Sequence, residues 1–235
     1  MEVYVGIAKV KKYATSESGD TVEVVERPNG GLSVVMADGQ SSGKGAKWIS
    51  TLVVRKVITL LAEGVRDGAA ARAASDSLFT ERGGKVSATL NILSVDSMTK
   101  TMVITRNNPS AVLLARNEEV LCLDEPSLPI GLYRGTRPLI SEIPIETGLS
   151  VVMYTDGVVN AGSRFGLSMD VPTSLKALLE EEDPSSQMIA DSLLQHAISL
   201  DRGRPGDDIS IVVLRVMSHT GDDVRRMTVR LPLES

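Results

Sequence analysis

Asp20-Thr21-Val22-Glu23-Val24-Val25-Glu26-Arg27-Pro28-Asn29-Gly30-Gly31-Leu32-Ser33-Val34-Val35-Met36-Ala37-Asp38-Gly39 is the stretch on which the fold turns. Val-rich runs that alternate apolar with polar residues flank Arg27-Pro28-Asn29-Gly30-Gly31. Alternation at period two marks a half-buried strand, and Asn-Gly supplies the positive φ angles of a tight turn. The segment predicts an antiparallel hairpin. Asp20 and Asp38 are both about nine residues from the turn. They are therefore expected at the same open end of the ladder, within a residue or two of opposition. Two like charges that close are unfavourable unless a cation or a proton lies between them.

Working outward, residues 2–12 form another Val-rich, alternating run. From Gly43 to Glu63 the pattern changes. Ala46, Ile49, Leu52, Val53, Val57, Leu60 and Leu61 recur at three- and four-residue spacing, one apolar helical face. An Ala-dense second helix is predicted over 66–79. Strands follow at 86–95, 101–106, 110–115 and 118–123, and two more in 137–155 on either side of Gly148. Asp183-Pro184 reads as an N-cap with a first-turn proline, opening a helix that turns Ile189, Leu193, Leu194, Ala197 and Leu200 inward. Ile209–Val216 is a nearly continuous apolar strand, and Val224–Leu231 reads as an edge strand. Strands in blocks separated by helix pairs do not alternate as βαβ units do. The order favours an α+β fold of antiparallel sheets covered by helices over a doubly wound parallel sheet. The expectation is one domain over 1–235, with 217–235 as a C-terminal extension.

Composition narrows the function. The 235 residues are 42% hydrophobic and 23% charged, the balance of an ordinary globular protein with a substantial core. A net charge of -5 with intermixed signs argues against nucleic acid as the ligand. Cys122 is the only cysteine, so no intrachain disulfide can form, and a reducing compartment is expected. The start Met1-Glu2-Val3-Tyr4-Val5-Gly6 carries no secretory signal. No segment approaches the roughly 20 apolar residues of a membrane span. A cytoplasmic protein that does not bind membranes is expected.

Aspartates recur beside glycines where strands end or begin: Ala37-Asp38-Gly39, Thr155-Asp156-Gly157 and Gly206-Asp207-Asp208. A carboxylate there can lean over the rim of a sheet while the backbone carbonyl stays accessible. Hard cations such as Mg²⁺ and Mn²⁺ take oxygen ligands of this kind. Aspartates without nearby His or Cys point to those ions and away from structural zinc. Each Asp-Gly alone is equally the signature of a turn. Together with Asp20 they make a candidate metal site.

The ordered motifs Ser18-Gly19-Asp20, Val34 through Gly43, Met153-Tyr154-Thr155-Asp156-Gly157-Val158 and Gly206-Asp207-Asp208-Ile209-Ser210-Ile211-Val212 resemble those of the metal-dependent protein phosphatases (PPM, type 2C). They look most like the bacterial SpoIIE/RsbU/RsbX-like branch. Ser87-Ala88-Thr89-Leu90 and Arg106-Asn107-Asn108-Pro109-Ser110 resemble the strand and turn between those motifs. The resemblance spans about residues 4–216. It implies a four-layer αββα sandwich of two antiparallel sheets flanked by helix pairs. It implies two ions, Mn²⁺ or Mg²⁺, activating a water that hydrolyses phosphoserine or phosphothreonine. Asp38, Asp156 and Asp207 would be the catalytic metal ligands, with Asp38 bridging. The Gly39 carbonyl would join them, and Asp20 would serve in the outer shell or at a weaker site. The implied substrate is a phosphorylated regulatory protein, such as an anti-sigma-factor antagonist or a stressosome-type component. The motifs start almost at Met1, so no sensor module is expected ahead of them.

Departures from the family pattern bear on the phosphate-holding group. Gln40, Ser41 and Ser42 stand where many relatives carry a Gly-His-Gly run, and no clear counterpart exists for the arginine of the eukaryotic branch. Lys11 or Lys12 could serve, although each reads equally as a solvated strand residue. Cys122, in Leu121-Cys122-Leu123, lacks a Cys-x5-Arg loop and reads as core; His196 and His219 are weak catalytic candidates. Gly39-Gln40-Ser41-Ser42-Gly43-Lys44-Gly45 is one residue short between its glycines for a P-loop and lacks the Ser or Thr after the lysine. The rival readings are a phosphatase-like module that has lost catalysis and binds a partner, and a metal-stabilised structural module.

Overall fold

Arg27 and Gly31 close the hairpin. The Arg27 N–H donates to the Gly31 carbonyl at 2.8 Å, and the Gly30 N–H donates to the Arg27 carbonyl at 3.0 Å. Gly30 has φ +84°, whereas Asn29 does not take a positive φ. The expected pair of positive angles is thus replaced by a turn through Pro28 and Asn29 followed by one left-handed glycine. Proline presets the first turn position, and glycine occupies the left-handed place without a Cβ clash. Three residues lie between the closing pair, and this odd loop sets Asp20 directly opposite Asp38.

The computed structural model describes residues 1–116, 119–219 and 221–232. Its elements are β1 (Glu2–Val10), β2 (Asp20–Glu26), β3 (Leu32–Gly39), α1 (Gly43–Ala62), α2 (Asp67–Arg82), β4 (Ala88–Asp96), β5 (Thr101–Asn107), β6 (Val112–Arg116), β7 (Glu119–Leu123), β8 (Leu139–Pro144), β9 (Ser150–Tyr154), α3 (Asp156–Val159), a 3-10 turn (Ser163–Phe165), α4 (Val171–Leu179), α5 (Ser186–Leu200) and β10 (Ile209–Met217). The strands form two antiparallel five-stranded sheets, β1-β10-β9-β6-β7 and β2-β3-β4-β5-β8.

Three apolar layers hold the sheets and helices together. Val35, Ala37, Leu90 and Ile92 meet Ile49, Val53, Val57 and Leu61 of α1 and Ala70, Ala74 and Leu78 of α2. Ile211, Val213 and Val152 meet Leu175 of α4 and Ile189, Leu193 and Ala197 of α5. Between the sheets lie Val34, Met36, Leu93, Met153, Val212 and Leu214. Each fully buried aliphatic side chain contributes about 1.5–3 kcal/mol, so the layers are held by many such groups rather than by any one bond. The alternation of β3 divides its residues between two of these layers, as period two requires. The architecture is α+β, a four-layer αββα sandwich.

The structure corrects the sequence reading in places. Val224–Leu231 forms no strand; Val224, Met227, Val229 and Leu231 stay exposed. Arg225 instead ties this segment to Glu26 and the Gly30 carbonyl through its side chain, at 2.9 Å each, and no backbone ladder forms. The cap of α5 is Ser185, whose Oγ accepts from the Met188 N–H at 3.1 Å, while Asp183 sits outside it at φ +47°. Helix α4 escaped the reading because it is only 9 residues long, although Asp170 capping Thr173 with a proline in the first turn was its signature. Residue 118, expected to open β7, lies outside the described residues.

Candidate metal centre

Four chain ends meet at one rim of the sandwich. β2 begins at Asp20, β3 ends at Gly39, Asp156 follows β9 by two residues, and Asp207 precedes β10 by two. Asp20 opposes Asp38 across the β2–β3 ladder, Asp38 opposes Thr89, and Gly39 opposes Ala88. A Cβ on Gly39 would fall 2.1 Å from the Ala46 carbonyl oxygen. Only glycine lets α1 pack that closely on the strand end.

Asp20 is fully buried and joins the two sheets. Its Oδ2 accepts from Ser210 Oγ at 2.7 Å and from Thr155 Oγ1 at 3.1 Å, both from the other sheet's rim. The Thr155 hydroxyl in turn accepts from the Ser210 N–H at 2.9 Å. Asp20 Oδ1 is buried with no hydrogen-bond partner. A carboxylate oxygen left bare in the interior is costly unless a proton or cation meets it.

Electrostatics brings the aspartates into one field. Burial pushes the Asp38 carboxyl up to about 9, and the charges of Asp20, Asp156 and Asp207 push it the same way. Burial raises Asp20 to about 6, opposed by the Ser210 hydrogen bond and by Lys9. Asp156 is raised by burial and then by Asp207. Three carboxyls that resist ionisation until a cation arrives form a site in need of positive charge.

Asp207 and Asp208 part company. Asp208 is buried, its Oδ1 accepting from the Lys12 N–H at 2.8 Å and its Oδ2 from the Gly19 N–H at 2.9 Å. Asp207 is 38% exposed, with Lys12 Nζ 3.9 Å away. A pair so exposed is worth at most about 1 kcal/mol.

The sequence did not flag Lys9 and Lys47, which both donate to the Asp20 carbonyl, at 2.6 and 2.9 Å. Lys47 also reaches Thr21 Oγ1 at 2.9 Å. Burial, then the Lys47 charge, lowers the Lys9 pKa. The signal was available: Lys9 keeps the phase of Val3, Val5 and Ile7 along β1, and although the residue is exposed as a whole, that phase takes its amine to the other sheet. Gln40, standing in the histidine position, is tied to Ser87, its N–H and side-chain oxygen both used at 2.9 Å. Cys122 is half-buried against the outer core, which raises its thiol. His196 bonds Ser174 at the surface, and His219 pairs with Glu2; neither joins the aspartates.

Among the described residues, no three carboxylate, imidazole or thiol groups stand close enough to cage an ion by themselves. The donor set fits a hydrated hard cation, which keeps several waters and accepts backbone oxygens, and does not fit structural zinc. Asp20's orphaned oxygen and the raised Asp38 are the observations on which that fit rests.

The Stage II sporulation protein E (SpoIIE) family model matches residues 28–217. The curated Stage II sporulation protein E of Bacillus subtilis (strain 168) is 22% identical over 219 residues, covering 93% of this chain but 26% of that protein. The chain thus spans about a quarter of that relative. A structure of the PP2C phosphatase domain and a fragment of the regulatory domain of SpoIIE from Bacillus subtilis superposes with TM-score 0.76 at 19% identity, over 92% of this chain and 64% of that one. The catalytic domain of the serine threonine protein phosphatase PstP, in complex with 2 manganese ions, superposes with TM-score 0.67 at 15% identity, over 92% and 99%. The chain belongs to the SpoIIE family, and its fold is that of the PP2C phosphatase domains.

Proposed function

We propose that the chain is a metal-dependent serine/threonine phosphatase acting on a phosphorylated protein. The observation that carries this reading is the face-to-face Asp20–Asp38 pair, fully buried at Asp20 and half-buried at Asp38, whose carboxyls are raised by desolvation and by neighbouring aspartates. Asp38, Asp156 and Asp207 would hold two ions, Mn²⁺ or Mg²⁺, with Asp38 shared between them, the Gly39 carbonyl as a further donor and Asp20 in an outer or weaker position. When bound, such ions supply Lewis acidity and a lowered water pKa, which is the chemistry that phosphate monoesters require.

The chain's own residues do the holding. Ser210 and Thr155 fix Asp20 by their hydroxyls, so the inner carboxylate cannot swing away from the rim. Lys9 and Lys47 grip its backbone from behind and lend positive charge. Asp208 clamps the 12–19 loop through two backbone N–H groups, and Asp207, the more exposed of the two, is the one this reading offers to an ion. A protein regulator of the anti-sigma-factor antagonist or stressosome type, in the cytoplasm, is the substrate this reading favours over nucleic acid or a membrane.

The test is p-nitrophenyl phosphate hydrolysis with Mn²⁺, with Mg²⁺ and after EDTA. Turnover is expected only with metal, and Mn²⁺ should also raise the melting temperature by binding the native state alone. Equal turnover after verified metal removal overturns the mechanism. Metal binding with no turnover of any phosphomonoester would make the chain a binding module instead.

A further inference from the structure

Beside Asp207 the surface changes sign. In a chain of net charge -5, Lys12, Arg164, Arg202 and Arg204 gather around the turn that delivers this aspartate. Arg164 lies against Gly206, where a Cβ would stand 3.1 Å from its Nε. Its guanidinium donates to the Arg204 carbonyl at 2.5 Å and sits 3.5 Å from Asp201. Asp201 is buried and also accepts from the Gly162 and Gly206 N–H groups, at 3.1 and 2.6 Å. That one carboxylate is fully engaged.

Among the described residues, Arg202 and Arg204 have no carboxylate partner. Each lies over an exposed aromatic ring: Arg202 4.1 Å from the Phe165 centroid, Arg204 5.2 Å from that of Tyr13. Stacking occupies the face of a guanidinium and leaves its edge donors free for a carboxylate. It also holds the long side chain in place beforehand, so less entropy is lost when an anion is captured. Two stacked, unpaired arginines on exposed aromatic rings, both within five residues of Asp207 along the chain, form a surface built to receive negative charge.

We propose that this patch docks an acidic segment of the phosphoprotein substrate, reading aspartate or glutamate side chains two to four residues from the phosphoserine. The inference rests on the phosphatase reading of the neighbouring site. The patch adjoins Asp207 through Lys12 and the 201–207 turn, so a phosphoserine at the aspartates would bring flanking residues of an extended chain, which advances about 3.3 Å per residue, within its reach. Four cations on a net acidic molecule suit a short acidic peptide better than a polyanion, which calls for a broad basic surface.

Fluorescence anisotropy in EDTA, with labelled phosphoserine peptides flanked by Glu, Ala or Lys, reads docking without turnover. The Glu-flanked peptide should bind about tenfold tighter than the Ala-flanked one, the scale of a few exposed charge pairs. That preference should shrink in 0.5 M NaCl. Arg202→Glu with Arg204→Glu should abolish the preference and tighten the Lys-flanked peptide. Arg134→Glu with Arg137→Glu, in the cleft of about 400 Å³ lined by Tyr133 and Leu128, should leave it intact. Circular dichroism reports folding, and if the double reversal is misfolded, Arg204→Gln should still give a partial loss. The inference falls if wild type shows no preference, if the preference survives the reversal, if it moves with Arg134 and Arg137, or if an oligothymidylate binds as tightly as the Glu peptide. Metal-dependent p-nitrophenyl phosphate hydrolysis is scored separately: its absence would remove the phosphatase reading while a charge-read docking surface stood.

Discussion

Two pairs of aspartates sit at the same rim and live opposite lives. Asp20 and Asp38 face each other across a ladder, the first buried and the second half-buried, with one oxygen of Asp20 met by no other donor. Asp207 and Asp208 are neighbours in one chain, yet one is half-exposed and the other is sealed by two backbone N–H groups. Residue type and formal charge are identical in all four. What differs is how fully the protein supplies donors for the charge: Asp20 keeps one oxygen unmet, and Asp207 accepts the Asp208 N–H at 3.0 Å with Lys12 3.9 Å away. Where it does so fully, as at Asp208, the carboxylate is structural. Where an oxygen is left unmet or open to solvent, the carboxylate is one that the proposed metal site would use.

The comparison breaks most directly at Asp38. Asp38→Asn should lower metal-dependent turnover by at least about 100-fold, in line with the loss of an electrostatic centre of catalysis, while the apoprotein stays folded and gains slightly in melting temperature because like-charge repulsion is relieved. Retention of more than a few per cent of activity at saturating Mn²⁺ would remove its bridging role.

The second pair separates function from fold. Asp207→Asn should weaken Mn²⁺ at least about tenfold, the effect of removing one charge beside a dication, with little change in stability. Asp208→Asn should do the reverse, costing about 1–3 kcal/mol of stability because an amide NH₂ would confront a backbone donor, with most activity kept at low temperature. Mn²⁺ titration and thermal melts of both variants decide it; swapped outcomes would reverse the assignment.

The smallest effect is in the pH profile of the apoprotein. Raised folded pKa values mean that the native state holds protons the unfolded chain releases. This stability is full below about pH 4 and is lost as pH climbs through the raised values of Asp20, about 6, and Asp38, about 9. Melting temperature in EDTA should therefore fall from pH 5 to 9, Asp38→Asn should flatten the upper part, and Mn²⁺ should reverse the slope. An apoprotein that grows more stable over that range would contradict the burial of these groups.

Much of this was legible in the residues. Period-two alternation gave the strands, the apolar stripe from Ala46 to Leu61 gave α1, and equal spacing from the turn put Asp20 near Asp38. What stayed hidden depended on contacts between distant segments. Nothing local to Lys47 says that it reaches the Asp20 carbonyl, and nothing in Asp207-Asp208 says which aspartate meets Lys12 and Gly19 N–H groups 196 and 189 positions away. Val224–Leu231 misled because alternation alone does not pair a strand: the segment meets the molecule through the Arg225 side chain rather than through a backbone ladder.

The hairpin loop behaves as a gauge block for the rim. Its odd length sets the parity of the whole β2–β3 ladder, and parity decides which face every β2 side chain takes. Deleting Asn29 would leave Pro28 first in a two-residue loop, which needs a positive φ there that proline cannot take; with β4 holding the other edge of β3, the pairing that gives way is that of β2. Asp20 would then slide past Asp38 and its carboxylate would turn away from Ser210. A length change at a loop about 24 Å distant, at some 3.4 Å per strand residue, would disarm the rim without altering one residue in it. The rim thus depends on the number of residues between Arg27 and Gly31 as well as on its own side chains.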